Sequence, residues 1–92
     1  MSVTVRIPAP LRRVTNGLDK VAVEGATLSD TLSALDSQFP GIKERLLDET
    51  GELRHFVNVY VNGEDVRFLQ GLDTSTNAGD EVSIVPAVAG GN

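Results

Sequence analysis

The sequence predicts an α+β domain in which a mixed sheet of four or five strands packs on one main helix. Three observations carry that expectation. Short segments near both ends alternate apolar and polar residues, and one central stretch repeats its leucines at helical spacing. Between two strand-like runs stands Asn62-Gly63, the residue pair of a tight hairpin. The resulting order is β-β-α-β-β-β with no internal repeat. A long helix-containing connection between strands permits a parallel pairing, hence a mixed sheet.

Each element has its own signal. Val3-Thr4-Val5-Arg6-Ile7 places apolar residues on odd positions and polar ones on even positions, the period of a half-buried strand. Pro8 and Pro10 end it, since neither can donate a ladder hydrogen bond. A loop with Asn16-Gly17 as its turn leads to a second alternating strand, Lys20 to Glu24, closed by Gly25. Thr27 is the expected helix cap, with Asp30 three residues on near the positive end of the helix dipole. Leu28, Leu32, Leu35 and Phe39 then form one apolar stripe, and Pro40-Gly41 stops the helix. Ile42, Leu46 and Leu47 point to one further helical turn.

The strongest strand is Phe56 to Val61, rich in β-branched and aromatic residues. Val57, Val59 and Val61 are expected to face the helix, leaving Phe56, Asn58 and Tyr60 on the outer face. Asn62-Gly63 supplies the positive φ angles of a type I′ turn. A short return strand is expected near Asp65 to Phe68, followed by a turn-rich stretch from Gly71 to Gly79. Glu81 to Val85 reads as the last strand, ended by Pro86. Residues 1–86 then form the domain, and 87–92 a flexible tail.

Composition limits what such a domain can do. Ninety-two residues make one core and leave no room for two lobes with a cleft between them. Hydrophobic residues at 40% against 23% charged is the balance of a folded chain. Eight Lys and Arg against thirteen Asp and Glu give a net charge of -5, which argues against nucleic acid and anionic membranes as partners. No apolar run nears the roughly 20 residues of a membrane span, and the N-terminus lacks the order of a secretion signal. A cytoplasmic protein is expected. With no cysteine and a single histidine, His55, there is no disulfide, no thiol nucleophile and no multi-His or Cys-ligated metal centre to expect. No paired base and nucleophile can be named, so the chain is not expected to be an enzyme.

Few individual residues rise above a structural role. His55 beside Arg54 reads as a surface residue, and Glu64-Asp65 as a hairpin shoulder. Asp48, Glu49 and Glu52 lack the spacing of a calcium loop and read as solvated. Arg12 and Arg13 read as a solvated pair that would also suit an acidic partner. Phe56 and Tyr60 are the docking candidates, because two aromatics on an outer sheet face suit a protein interface.

Three runs carry a resemblance. They are Phe56 to Phe68, Gly79 to Pro86, and the tail Ala87-Val88-Ala89-Gly90-Gly91. Together with the strand order they resemble the ubiquitin-like β-grasp sulfur carriers, the MoaD and ThiS family, over the whole chain. The likeness is nearest to the longer CysO-type carriers, which deliver sulfur for cysteine biosynthesis, with the small subunit of molybdopterin synthase second. Thiamin-pathway carriers usually lack the Ile42 to Arg54 stretch.

The resemblance implies that Gly91 is adenylated by an E1-like adenylyltransferase and sulfurtransferase and then converted to a thiocarboxylate. ATP and magnesium would be used by that partner, and the carrier itself would bind no cofactor and no metal. The acceptor would be a PLP-dependent cysteine synthase or the molybdopterin synthase large subunit. Physical chemistry agrees with the glycines. A carboxylate must be activated before sulfur can attack it, and a tail without Cβ atoms at Gly90 and Gly91 can thread a narrow channel to ATP. Family members active in sulfur transfer end at the second glycine, whereas here Asn92 follows Gly91. Asn92 is therefore expected to be removed first, and a JAMM-type zinc metallopeptidase is the implied partner. Two other readings stand beside this one: a ubiquitin-like modifier that acylates lysines, and a non-covalent β-grasp adaptor.

Overall fold

The computed structural model describes residues 2–86. Its strands are β1 (Val3–Arg6), β2 (Lys20–Val23), β3 (Val57–Val61), β4 (Glu64–Asp65) and β5 (Glu81–Pro86), with helices α1 (Leu28–Gln38) and α2 (Ile42–Leu46). The five strands form one sheet in the order β2-β1-β5-β3-β4. β1 and β5 run parallel at its centre, Val5 opposite Val82, and the other pairs are antiparallel. This is the expected mixed sheet.

The alternation seen in the sequence decides which face is buried. Val3, Val5, Val21, Val23, Val57, Val59, Val61, Val82 and Ile84 turn inward against Leu28, Leu32 and Leu35 of α1, and Ile42 and Leu46 of α2 close one end of the same core. Thr27 caps α1 as expected: its hydroxyl accepts the Asp30 N–H at 3.1 Å. The hairpin after β3 is also as read, with φ of 52° at Asn62, 88° at Gly63, and Val61 paired with Glu64.

Four differences from the sequence reading have local causes. After β1, Ala9–Leu11 forms a 3-10 turn rather than open loop, because Pro10 at its start needs no N–H partner there. β3 begins at Val57, not Phe56: the Val57 N–H donates to the Arg54 carbonyl at 3.0 Å, which holds Phe56 inside a turn. The return strand is two residues long. The Asp65 carboxylate accepts the Arg67 N–H at 2.9 Å and winds Val66–Phe68 into a 3-10 turn, burying Val66 and leaving Phe68 87% exposed. Pro86 does not fall outside β5 but occupies its last position opposite Val57, where a missing N–H costs least.

A buried polar stitch, unseen in the sequence, joins the β2–α1 connection and the start of α1 to the segment before β5. The Thr76 hydroxyl donates to the Gly25 carbonyl at 2.8 Å and lies 3.1 Å from the Thr31 hydroxyl. The Thr31 hydroxyl in turn lies 2.9 Å from the Thr27 carbonyl. Backbone bonds Leu28 N–H to Thr74 and Thr76 N–H to Ala26 complete the seam. Gly25 is required here by contact. A Cβ at that position would lie 2.5 Å from the Thr31 nitrogen.

Candidate functional site

β5 brings the chain out of the sheet at Pro86, between β1 and β3. Gly90, Gly91 and Asn92, the residues expected to carry the chemistry, lie outside the described residues, as does the whole expected tail 87–92. What the structure supplies is the surface from which that tail departs. Two recesses share Ile84 and Pro86. One, of about 380 Å³, is lined by Leu11, Leu46, Phe56 and Val57, with Arg45 and Arg54 on its edge. The other, of about 320 Å³, includes Arg6, Pro8 and Arg12. A larger depression, about 440 Å³ between Asp36, Lys43, Asp48 and Glu49, does not reach Pro86.

Arg54, Arg12 and Arg67 are held by carbonyls rather than by carboxylates. The Arg54 guanidinium donates from Nε and Nη2 to the Glu44 carbonyl at 3.2 and 3.0 Å, satisfying an orphan acceptor near the end of α2. Arg12 Nε donates to the Ile7 carbonyl at 3.1 Å. Arg67 reaches across from beyond β4, donating to the Val57 carbonyl at 2.8 Å, the Arg54 carbonyl at 3.1 Å and the Asn58 amide oxygen at 2.6 Å. It pins the turn that carries Phe56. Among the described residues the one ion pair is Arg6 with Glu81 at 3.6 Å, on the exposed sheet face.

The two docking candidates separate. Tyr60 is half-buried in β3, on the face opposite the valines, between Asp65 of β4 and Ser83 of β5. Phe56 is half exposed in the preceding turn and lines the recess beside Pro86, so it belongs to the root of the tail. His55 is exposed in the same turn. Arg13 is exposed, while its neighbour Arg12 is tied to the sheet through Ile7.

Of the three carboxylates read as a solvated loop, Glu49 and Glu52 are exposed, and Asp48 ties the loop together. Asp48 accepts the Thr50 hydroxyl, the Glu52 N–H at 3.2 Å and the Thr50 N–H at 2.9 Å. Those bonds, the Thr50 hydroxyl foremost, hold its carboxyl below the usual carboxylate range. Asp80 is lowered in the same way, first by the Asn77 N–H and then by the Asn62 side-chain amide. Among the described residues no group of His, Asp and Glu is placed to hold a metal ion, and no helix is long and apolar enough to cross a membrane.

Sequence reasoning missed the arginine rim. Positions 12, 45 and 54 lie in three separate segments, and no spacing rule joins them. Only the fold brings them to the end of β5.

A five-stranded mixed sheet grasping one long helix, with the last strand central, is the ubiquitin-like β-grasp architecture. The chain belongs to the ThiS family, whose model matches residues 5–91. It is 52% identical to the sulfur carrier protein CysO of Mycobacterium tuberculosis over 93 residues, covering 99% of this chain and all of that one. A crystal structure of the BexX/CysO complex of Amycolatopsis orientalis superposes with a TM-score of 0.91 at 48% identity, over 96% of this chain and 98% of that one. The small archaeal modifier protein SAMP1 of Haloferax volcanii gives 0.81 at 34% identity, over 98% and 99%.

Proposed function

We propose that this chain is a sulfur carrier of the CysO kind, whose working group is the carboxyl of Gly91 exposed by removal of Asn92. The observation that supports it most is the extent of the family match, which runs through both tail glycines to residue 91. The chemistry is as follows. The Gly91 carboxylate attacks the α-phosphorus of ATP on an activating partner, and pyrophosphate leaves. A sulfide equivalent supplied by that partner attacks the acyl carbon, AMP leaves, and one terminal C–O bond has become C–S. The thiocarboxylate then gives its sulfur to an acceptor enzyme, a PLP-dependent cysteine synthase on this reading. Such a carrier needs no base, nucleophile or cofactor of its own, and ATP and magnesium belong to the partner. It is a cosubstrate and acts in the cytoplasm, where ATP is at hand.

The domain's part is delivery. Pro86 at the end of the central strand fixes where the tail starts, and the residues after it carry no side chain larger than valine before the glycines. Removal of Asn92 fits a peptidase that accepts the same thin tail, and a JAMM-type zinc metallopeptidase is proposed for it.

The likeness to SAMP1 favours a second reading, a protein modifier that acylates lysines through the same activated carboxyl. Both are tested together. The form ending at Gly91 is incubated with ATP, magnesium, the cognate adenylating enzyme and a sulfide source, and its intact mass is followed. A gain equal to sulfur replacing oxygen, located at Gly91 by fragmentation, is expected. Isopeptide adducts on lysines without that gain would favour the modifier instead.

A further inference from the structure

We propose that the arginine rim at the end of β5 is a docking surface for an acidic patch on the adenylating enzyme that takes the tail. The proposal rests on the carrier reading and adds the kind of partner surface that reading requires.

The chain is acidic overall, at -5, so its eight cations are few and their placement matters. Four of them, Arg6, Arg12, Arg45 and Arg54, line the two recesses that meet at Pro86, against a single carboxylate, Glu44. Among the described residues only Arg6 is paired with a carboxylate. Arg12 and Arg54 are instead oriented by the Ile7 and Glu44 carbonyls, which fix the guanidinium without cancelling its charge. A guanidinium so held loses little further freedom when it meets a carboxylate, and its unused N–H groups are free to fork onto one. Leu11 and Phe56 line the recess with Arg45 and Arg54, and Ile84 and Pro86 are common to both recesses, so apolar surface accompanies the arginines. Apolar centre and charged rim is the anatomy of a protein interface. A protein that engages the tail after Pro86 must approach this rim, and an acidic surface there would be drawn in while the rest of this acidic chain is repelled. The charge pattern would orient the encounter, setting association rate and salt dependence.

The test is steady-state adenylation of the form ending at Gly91 by its purified adenylating enzyme, with the carrier as varied substrate. Arg45→Glu, whose guanidinium has no intrachain hydrogen bond among the described residues, is compared with wild type. The double variant Gln38→Glu, Gln70→Glu makes the same change in net charge at exposed sites outside both recesses. Arg12→Glu is a second rim variant, with melting temperature measured for all. At low salt KM for Arg45→Glu is expected to rise about tenfold with kcat little changed, the double control staying near wild type. That gap should shrink as salt rises from about 50 to about 500 mM. If the rim variants and the control shift KM alike while wild type is adenylated, the docking proposal is wrong and the carrier reading stands. If wild type itself is not adenylated, the carrier reading falls and takes the docking proposal with it.

Discussion

Val59 and Tyr60 are neighbours in β3 and answer to opposite demands. Val59 is fully buried against the helix layer, so Val59→Ala removes methyl groups from a packed core and is expected to cost about 1–3 kcal/mol in unfolding free energy. Tyr60 on the outer face and Phe56 at the tail root touch much less of that core. Replacing either with serine should weaken binding to the adenylating partner by more than it lowers stability. Chemical denaturation and binding titration on the three variants check this. A stability loss in Phe56→Ser equal to that of Val59→Ala, with binding unchanged, would mean that Phe56 is a packing residue only. At this scale the sequence was readable where a residue's role is set by its strand neighbours. Period 2 located Val57, Val59 and Val61 in the core. It could not show that Phe56 precedes the strand, because the Arg54–Val57 turn that sets the boundary is pinned by Arg67, ten residues from the Val57 carbonyl it binds.

At the scale of elements, α1 and the β3–β4 hairpin were legible because their signals are local: a capping threonine, a leucine stripe, an Asn-Gly pair. The connections were less so. What holds the start of β5 to the hairpin is a side-chain knot. Asn62 donates from its amide nitrogen to Asp80 at 3.1 Å and accepts the Glu81 N–H at 2.9 Å, and Asp80 also accepts the Asn77 N–H at 2.8 Å. These bonds favour the charged Asp80 carboxylate and lower its pKa from the ordinary 3.8, as the Thr50 and Glu52 contacts do for Asp48. For a carboxylate depressed in the fold, the stabilisation is present above the unfolded value and is lost as pH falls through the folded one. Melting temperature should therefore decline as pH is lowered below 3.8. Asp80→Asn and Asp48→Asn should each flatten that decline, starting from a lower plateau near neutral pH. Thermal melts across the acid range decide it. A decline as steep in both variants as in wild type would assign the acid sensitivity to other carboxylates.

For the molecule as a whole, the parallel β1–β5 pairing is what places the last strand at the centre of the sheet and the tail root between two recesses. Its ends are far apart in sequence and neither strand's pattern specifies the other as partner, so only the possibility of a mixed sheet could be read. The buried threonine seam at Thr31 and Thr76 and the arginine rim were illegible for the same reason, being contacts made across the whole chain. The tail's Gly90-Gly91 pair is visible in the sequence because it is consecutive, and the chemistry proposed for it awaits the test below. A sulfur carrier is defined by which carbonyl is activated. On the proposed reading, adenylation at Asn92 would activate a carbonyl one residue beyond Gly91. The most direct measurement is intact mass after incubating full-length protein, and separately the form ending at Gly91, with ATP, magnesium and the cognate adenylating enzyme. Acyl-adenylate is predicted on the shorter form alone; equal formation on full-length protein with Asn92 still attached would contradict Gly91 as the carrier residue.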